Sequence, residues 1–153
     1  MTGVPFISTP GGSLDSKGRV CIPANYRQAL AAQGMSGVYA CQSFSEPTLE
    51  CFGEDVLQYF HARQADLDPF FAKAHDDKAF AVLAMTQLLP ADENGRVRLP
   101  EEMINHAGLK DRVTFVGLGR KFQIWDHARF AGILQERLAR ARAIRDASDG
   151  AGA

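Results

Sequence analysis

Long apolar runs are missing from this chain of 153 residues. No stretch approaches the roughly 20 consecutive apolar residues that a membrane-spanning helix requires, so no membrane partner is expected. The chain opens without the basic-then-apolar pattern of a secretory leader, and the expected setting is the cytoplasm. Cysteine is scarce and odd in number: Cys21, Cys41 and Cys51, with no Cys-x-x-Cys pair. That excludes a disulfide framework and predicts reduced thiols buried in strand-like surroundings. His61, His75, His106 and His127 stand far apart, at no ligand spacing from a cysteine or carboxylate, so no metal is expected. Cofactor fingerprints are absent too. Gly117-Leu118-Gly119-Arg120-Lys121 lacks the third glycine of a dinucleotide loop and leads into a strand, which reads as a basic hairpin loop. Ser16-Lys17-Gly18 carries the phosphate-loop order reversed. With no nucleophile–base pair and no paired carboxylates on one element, neither catalytic residues nor a small-molecule substrate are expected. The chain does not read as an enzyme.

A large charge of one sign is also missing, the formal net value being −1. Its distribution says more. Residues 1–45 hold three bases and one acid, residues 46–77 two bases and eight acids, and residues 78–153 twelve bases and nine acids. Acid pools in the middle while both flanks are mildly positive, which can orient a protein on an anionic surface.

What the two flanks share is a repeat. Leu14-Asp15-Ser16-Lys17-Gly18-Arg19-Val20-Cys21-Ile22-Pro23 returns half a chain later as Ala91-Asp92-Glu93-Asn94-Gly95-Arg96-Val97-Arg98-Leu99-Pro100. An internal repeat sets architecture before any single residue does, and this one predicts two half-domains around one core. Within each copy, Asp can bond backbone amides two residues on and Gly can take positive φ, which predicts a tight turn. A strand follows, Arg19 to Ile22 or Arg96 to Leu99. Pro23 and Pro100 are placed at the first helical position, with the helices closing near Gly34 and Gly108. Apolar runs then predict hairpins, Val38–Cys41 with Leu49–Phe52 and Val113–Val116 with Phe122–Trp125. Trp125, Phe122, Ile124 and Phe52 are expected in the core of the second hairpin. Incoming strands are predicted at Phe6–Ser8 and Thr86–Leu89, with Pro10-Gly11-Gly12 as breakers. Further helices are predicted over 54–66, 70–85 and 127–145. In the last, Phe130, Ile133, Leu134 and Leu138 share one side, and the arginines from Arg137 to Arg145 read as a solvated face or a subunit contact.

The residue after each glycine carries the functional reading. A turn needs Asp and Gly but does not require arginine next. Strand alternation puts Arg19 and Cys21 on one face, with Val20 and Ile22 on the other. In the second copy Arg96 and Arg98 share the exposed face while Val97 and Leu99 pack inward. An arginine braced by its own aspartate has lost rotamer freedom, and its guanidinium can donate two bonds to guanine O6 and N7.

Asp15-Ser16-Lys17-Gly18-Arg19 with Ile22-Pro23-Ala24 and Tyr26-Arg27, then Asp92, Gly95-Arg96 and Leu99-Pro100, then Lys121-Phe122-Gln123-Ile124-Trp125-Asp126, resembles the MraZ family. The resemblance covers roughly residues 6–135 and rests on the order, spacing and duplication of these motifs. It implies an α+β fold of two β-α-β-β half-domains of SpoVT-AbrB, swapped-hairpin type, sharing one core with flanking helices. The implied layout is half-domain 1 over 6–53, a helical connector over 54–85 and half-domain 2 over 86–128. A C-terminal helix over 129–145 follows, and the small, polar composition of residues 146–153 reads as a flexible tail. It further implies a cytoplasmic, nucleoid-associated transcriptional regulator that represses the division and cell-wall gene cluster, including its own gene. The implied partners are double-stranded DNA, through guanine-containing direct repeats, and further copies of the chain in a ring-like homo-oligomer. The DNA-binding residues are then Asp15, Lys17, Gly18 and Arg19 from the first copy and Asp92, Gly95 and Arg96 from the second. The chain departs from the family in two places. A frequent arginine near the N-terminus is replaced by Phe6-Ile7-Ser8, and Asn94 stands where the first copy has Lys17, so the first half is expected to dominate. The rival reading is a protein-interaction module of the AbrB or antitoxin type that holds a partner protein. Two copies and a short tail weigh against it.

Overall fold

Each copy of the repeat builds the same run of elements. In a computed structural model, which describes residues 3–152, the first half runs β1 (Gly11–Ser13), β2 (Arg19–Cys21), α1 (Ala24–Ala32), β3 (Val38–Gln42) and β4 (Leu49–Phe52). Two helices follow, α2 (Glu54–Arg63) and α3 (Lys73–Ala81). The second half runs β5 (Gln87–Leu89), β6 (Arg96–Arg98), α4 (Glu101–Ala107), β7 (Arg112–Gly117) and β8 (Lys121–Asp126), before α5 (His127–Gly152). The architecture is α+β, with every strand pair antiparallel.

Strand pairing crosses between the halves. The hairpins β3–β4 and β7–β8 join side by side through β4 and β8. The incoming strand of each half then completes the other half's sheet, β1 on β7 and β5 on β3, giving the order β1-β7-β8-β4-β3-β5. The outgoing strands β2 and β6 leave that sheet and pair with each other as a two-stranded ribbon, with Val97 of β6 also bridging Ala91. Each Asp-Gly turn therefore swings the chain from one sheet to the other, and neither half closes without its mate.

The halves meet in a single apolar cluster. α1 contributes Tyr26, Ala29 and Leu30, α4 contributes Met103 and Ala107, and the ribbon's inner face contributes Val20 and Val97. Tyr26 lies at the centre, its ring centroid 4.7 Å from Phe122, 5.4 Å from Phe6 and 6.3 Å from Phe115. Its hydroxyl donates to the Ser8 carbonyl at 2.9 Å. No buried side-chain nitrogen or oxygen among the described residues lacks a hydrogen-bond partner.

Several elements differ from the sequence reading. Phe6 forms only an isolated bridge to Gly119, and the incoming strand lies at Gly11–Ser13, where the glycines had suggested a break. Gly12 belongs in a strand because Phe115 crosses it: a Cβ there would stand 2.8 Å from a ring carbon. Gly117 serves a similar end, since a Cβ would meet the Ile7 backbone nitrogen at 2.5 Å. The Gly-Leu-Gly segment is thus the seat on which the N-terminal segment around Phe6 and Ile7 docks. Pro23 and Pro100 are N-caps rather than first helical residues, with the Pro23 carbonyl accepting the Arg27 amide at 2.9 Å.

The helix predicted over 70–85 shrinks to α3 because Asp68 captures the Phe70 and Phe71 amides at 2.8 and 3.1 Å, folding that stretch as a turn. α2 ends at Arg63, three residues short of the expected end. α5 continues through residues 146–152, which the composition assigns to a flexible tail, because extending a formed helix is far easier than starting one. Ala153 lies outside the described residues. Trp125 is buried, but on the sheet face opposite Phe122 and Ile124, as period-two alternation requires; its indole donates to Gln123 Oε1 at 2.8 Å. α5 approaches the end of that hairpin, where Thr114 Oγ1 lies 3.0 Å from His127 Nδ1, and Arg137 pairs with Glu46. Among the described residues no helix is long and apolar enough to cross a membrane.

Candidate nucleic-acid interface

The two turns are near copies at their carboxylates. Asp15 Oδ1 accepts the amides of Lys17 and Arg19, both at 2.9 Å, and Asp92 Oδ1 accepts those of Asn94 and Arg96 at 2.8 and 2.9 Å. Gly18 and Gly95 take φ values of +77° and +78°, which only glycine adopts readily, so each chain can turn into the ribbon directly after its Asp. The turns also lock each other. The Leu99 amide donates to the Gly18 carbonyl at 2.8 Å, and the Ile22 amide to the Gly95 carbonyl at 2.9 Å.

Both carboxyls are held below the ordinary aspartate range. For Asp15 the Arg19 amide does most, helped by the Arg19 side chain and the Lys17 amide, against some desolvation. For Asp92 the Arg96 amide leads, also against desolvation, with the Asn94 amide and the charges of Arg96 and Arg19 adding to it. A carboxyl whose folded pKa is depressed contributes stability above its unfolded value of about 3.9 and loses it as pH falls through the folded value. Acidification below about pH 4 is therefore expected to loosen both turns before the core unfolds. Amide shifts of Lys17, Arg19, Asn94 and Arg96 followed by NMR would report it. Asp15→Asn should remove the acid response of the first turn only.

Above the turns lies the ribbon. Its register sets Arg19 opposite Arg98 and Cys21 opposite Arg96, with Val20 opposite Val97. The valines point into the core, each 1% exposed, so the other four side chains share the outer face. That face holds three guanidiniums and one thiol. Directly opposed like charges destabilise a strand pair, so the arrangement does nothing for folding and favours a polyanionic partner.

The arginines are not held alike. Arg19 Nε donates to Asp15 Oδ2 at 2.8 Å, and among the described residues no acceptor engages its two Nη groups. Arg96 corrects the expectation drawn from the repeat. Only its backbone amide reaches Asp92, and its guanidinium makes no hydrogen bond among the described residues. Arg98, outside the motif, donates from Nε to the Lys17 carbonyl at 3.1 Å. Cys21 is exposed rather than buried, its thiol 3.4 Å from the Asn94 carbonyl; Cys41 and Cys51 are buried. Strand alternation was the signal for Cys21 and Arg98, and it outweighs the general tendency of cysteine to bury. Of the candidate residues, Lys17 and Arg96 are exposed, Asp15, Gly18 and Arg19 half-buried, Asp92 exposed and Gly95 buried.

A transcriptional regulator MraZ from Azorhizobium caulinodans is 40% identical over 140 residues, 92% of this chain and 88% of the relative. The chain belongs to the MraZ family. A second transcriptional regulator MraZ, from Xanthobacter autotrophicus, is 38% identical over 142 residues, covering 93% of this chain and 90% of the relative. A third, from Beijerinckia indica, is 38% identical over 140 residues, 92% of this chain and 85% of the relative. The family model described as "MraZ protein, putative antitoxin-like" matches residues 82–149, the span that holds the second turn, β5 to β8 and most of α5. The role stated for these MraZ relatives is regulation of transcription, which is not catalysis.

Proposed function

We propose that this MraZ-family chain is a sequence-specific DNA-binding regulator that reads duplex DNA with the β2–β6 ribbon. The observation that carries the reading is the ribbon's outer face, where Arg19, Arg96 and Arg98 gather over a buried valine pair. A two-stranded ribbon fits the major groove, and an arginine pinned through Nε keeps both Nη groups for guanine O6 and N7. The reading assigns Asp15 and Asp92 to shaping the turns, Gly18 and Gly95 to the tight bends, Lys17 to phosphate, and Arg19 and Arg96 to bases. The unit of recognition is the pair of half-domains, 6–53 and 86–128, carried by the connector over 54–85.

Assembly belongs to the same proposal. Phe44, Phe70, Phe71 and Phe80 are between 70% and 86% exposed, a density of bare aromatics that supports self-association. Several linked subunits on successive direct repeats would bind far more tightly than one. The proposed role is then repression of the division and cell-wall gene cluster, its own gene included, from a cytoplasmic, nucleoid-associated oligomer that needs no cofactor. The exposed aromatics also favour the second reading, a module that holds a partner protein.

Fluorescence anisotropy on a duplex from upstream of its own gene, against a random duplex of equal length, tests the proposal. Preference for the upstream duplex is expected, with log K falling linearly in log salt at about 0.9 per neutralised phosphate. Light scattering should show an assembly larger than a dimer. A dimer that captures another protein and ignores both duplexes would support the rival.

A further inference from the structure

The repeat gives each ribbon residue a counterpart, and the backbone respects it. Arg19 opposite Arg98 in one half maps onto Arg96 opposite Cys21 in the other. The side-chain contacts follow suit: Arg98 reaches the Lys17 carbonyl, and Cys21 reaches the Asn94 carbonyl. A ribbon with such a local two-fold would present the same surface to DNA read from either end. The chemistry breaks this symmetry at one pair of positions, where one copy has Cys21 and the other Arg98, and reinforces the break at the turns, where Lys17 in the first copy corresponds to Asn94 in the second.

We infer that Arg98 contacts DNA and that, with Arg19, it makes the ribbon end at the first turn the stronger grip, so each subunit seats on duplex with one fixed polarity. The inference rests on the DNA-binding reading above and deepens it. At the first turn two guanidiniums stand directly opposite each other, each tethered through Nε, Arg19 to Asp15 and Arg98 to Lys17. Tethering restricts both side chains before any ligand arrives, which lowers the ordering cost of binding. Among the described residues Asp15 is the one carboxylate in an ion pair with this couple, although Asp92 also feels the Arg19 charge. The next acids along the chain, Glu101 and Glu102, open α4, and Glu102 lies 3.4 Å from Gln87 Nε2. At the second turn, Arg96 is untethered and stands opposite Cys21 rather than a second guanidinium. A lopsided ribbon selects a directional site, and subunits along one duplex then point the same way.

The test uses the full-length chain, anisotropy on the upstream duplex, and a salt series. Arg98→Gln removes the charge while keeping an N–H donor for the Lys17 carbonyl, and Arg98→Ala removes both. Each is expected to weaken binding about tenfold and to lower the salt slope by about 0.9 per subunit. Arg96→Ala is expected to cost less than Arg98→Ala, the reverse of what motif membership alone implies. Cys21→Arg should tighten binding several-fold and steepen the slope. Wild-type affinity and slope in Arg98→Gln, with loss confined to Arg98→Ala, would reduce Arg98 to a buttress of the first turn and overturn the inference. So would a larger loss in Arg96→Ala than in Arg98→Ala, or unchanged binding by Cys21→Arg. Those outcomes leave the DNA-binding reading standing if Arg19→Ala has lost affinity; if Arg19→Ala binds unchanged, both fall together.

Discussion

Arg19→Ala is expected to abolish site-specific binding to the upstream duplex while leaving the protein folded. The side chain is spent on a single ion pair to Asp15, with partner exposures of 33% and 36%. A solvent-screened pair of this kind contributes little to stability, so the melting curve should barely move. Its two remaining Nη donors are worth about 2 kcal/mol of discrimination at a guanine, and when two subunits occupy one duplex the loss compounds to about 4 kcal/mol, roughly a thousandfold. Anisotropy at fixed salt gives the affinity, and circular dichroism on the same samples shows whether fold is retained. Arg19→Lys should recover phosphate attraction without recovering preference for the upstream duplex, because an ammonium cannot form the two-pronged contact. Full affinity and preference in Arg19→Ala would remove the reader on which the functional proposal stands.

Tyr26→Ala is expected to produce the largest loss of stability of any single substitution in this chain. The ring is fully buried and touches Phe6, Phe115 and Phe122, so it ties α1 of the first half to the N-terminal segment and the second half's hairpin. Truncating a buried aromatic costs about 3–5 kcal/mol, a large part of the 5–15 kcal/mol typical of a domain. For a chain of this length that corresponds to a fall in Tm of roughly 10 °C or more. Because the core is shared, both halves should unfold in one transition; a biphasic curve would contradict the single core. Tyr26→Phe isolates the hydroxyl's bond to Ser8 and should cost about 1 kcal/mol. Burial pushes the phenol up to about 12. A raised folded pKa means the contribution is complete below the unfolded value of about 10 and disappears as pH climbs through the folded one, so alkaline unfolding should begin in that window.

Much of this was legible in the chain itself. Asp15, Gly18, Asp92 and Gly95 announce their turns because turn chemistry acts over four residues. The alternation of Arg19, Val20, Cys21 and Ile22 assigns faces correctly, since period two is a property of any strand. Local capture was harder to read: Asp68 taking the Phe70 and Phe71 amides shortens α3, a competition that a helical pattern does not display. Glycine misled where it serves packing, because the demand at Gly12 comes from Phe115, about a hundred residues away.

The sequence by itself determined the duplicated unit, its turns, its helices and the pair of arginines that follow the glycines, since each of these depends on residues within a few positions of one another. The tertiary structure alone decided which strand meets which. It sent β1 and β5 to opposite halves, set Arg98 across from Arg19, tethered one motif arginine and left the other untied. Partner and register between distant strands are chosen by burial of a common core, where Val20, Val97 and Tyr26 exclude water together, and no local pattern carries that information.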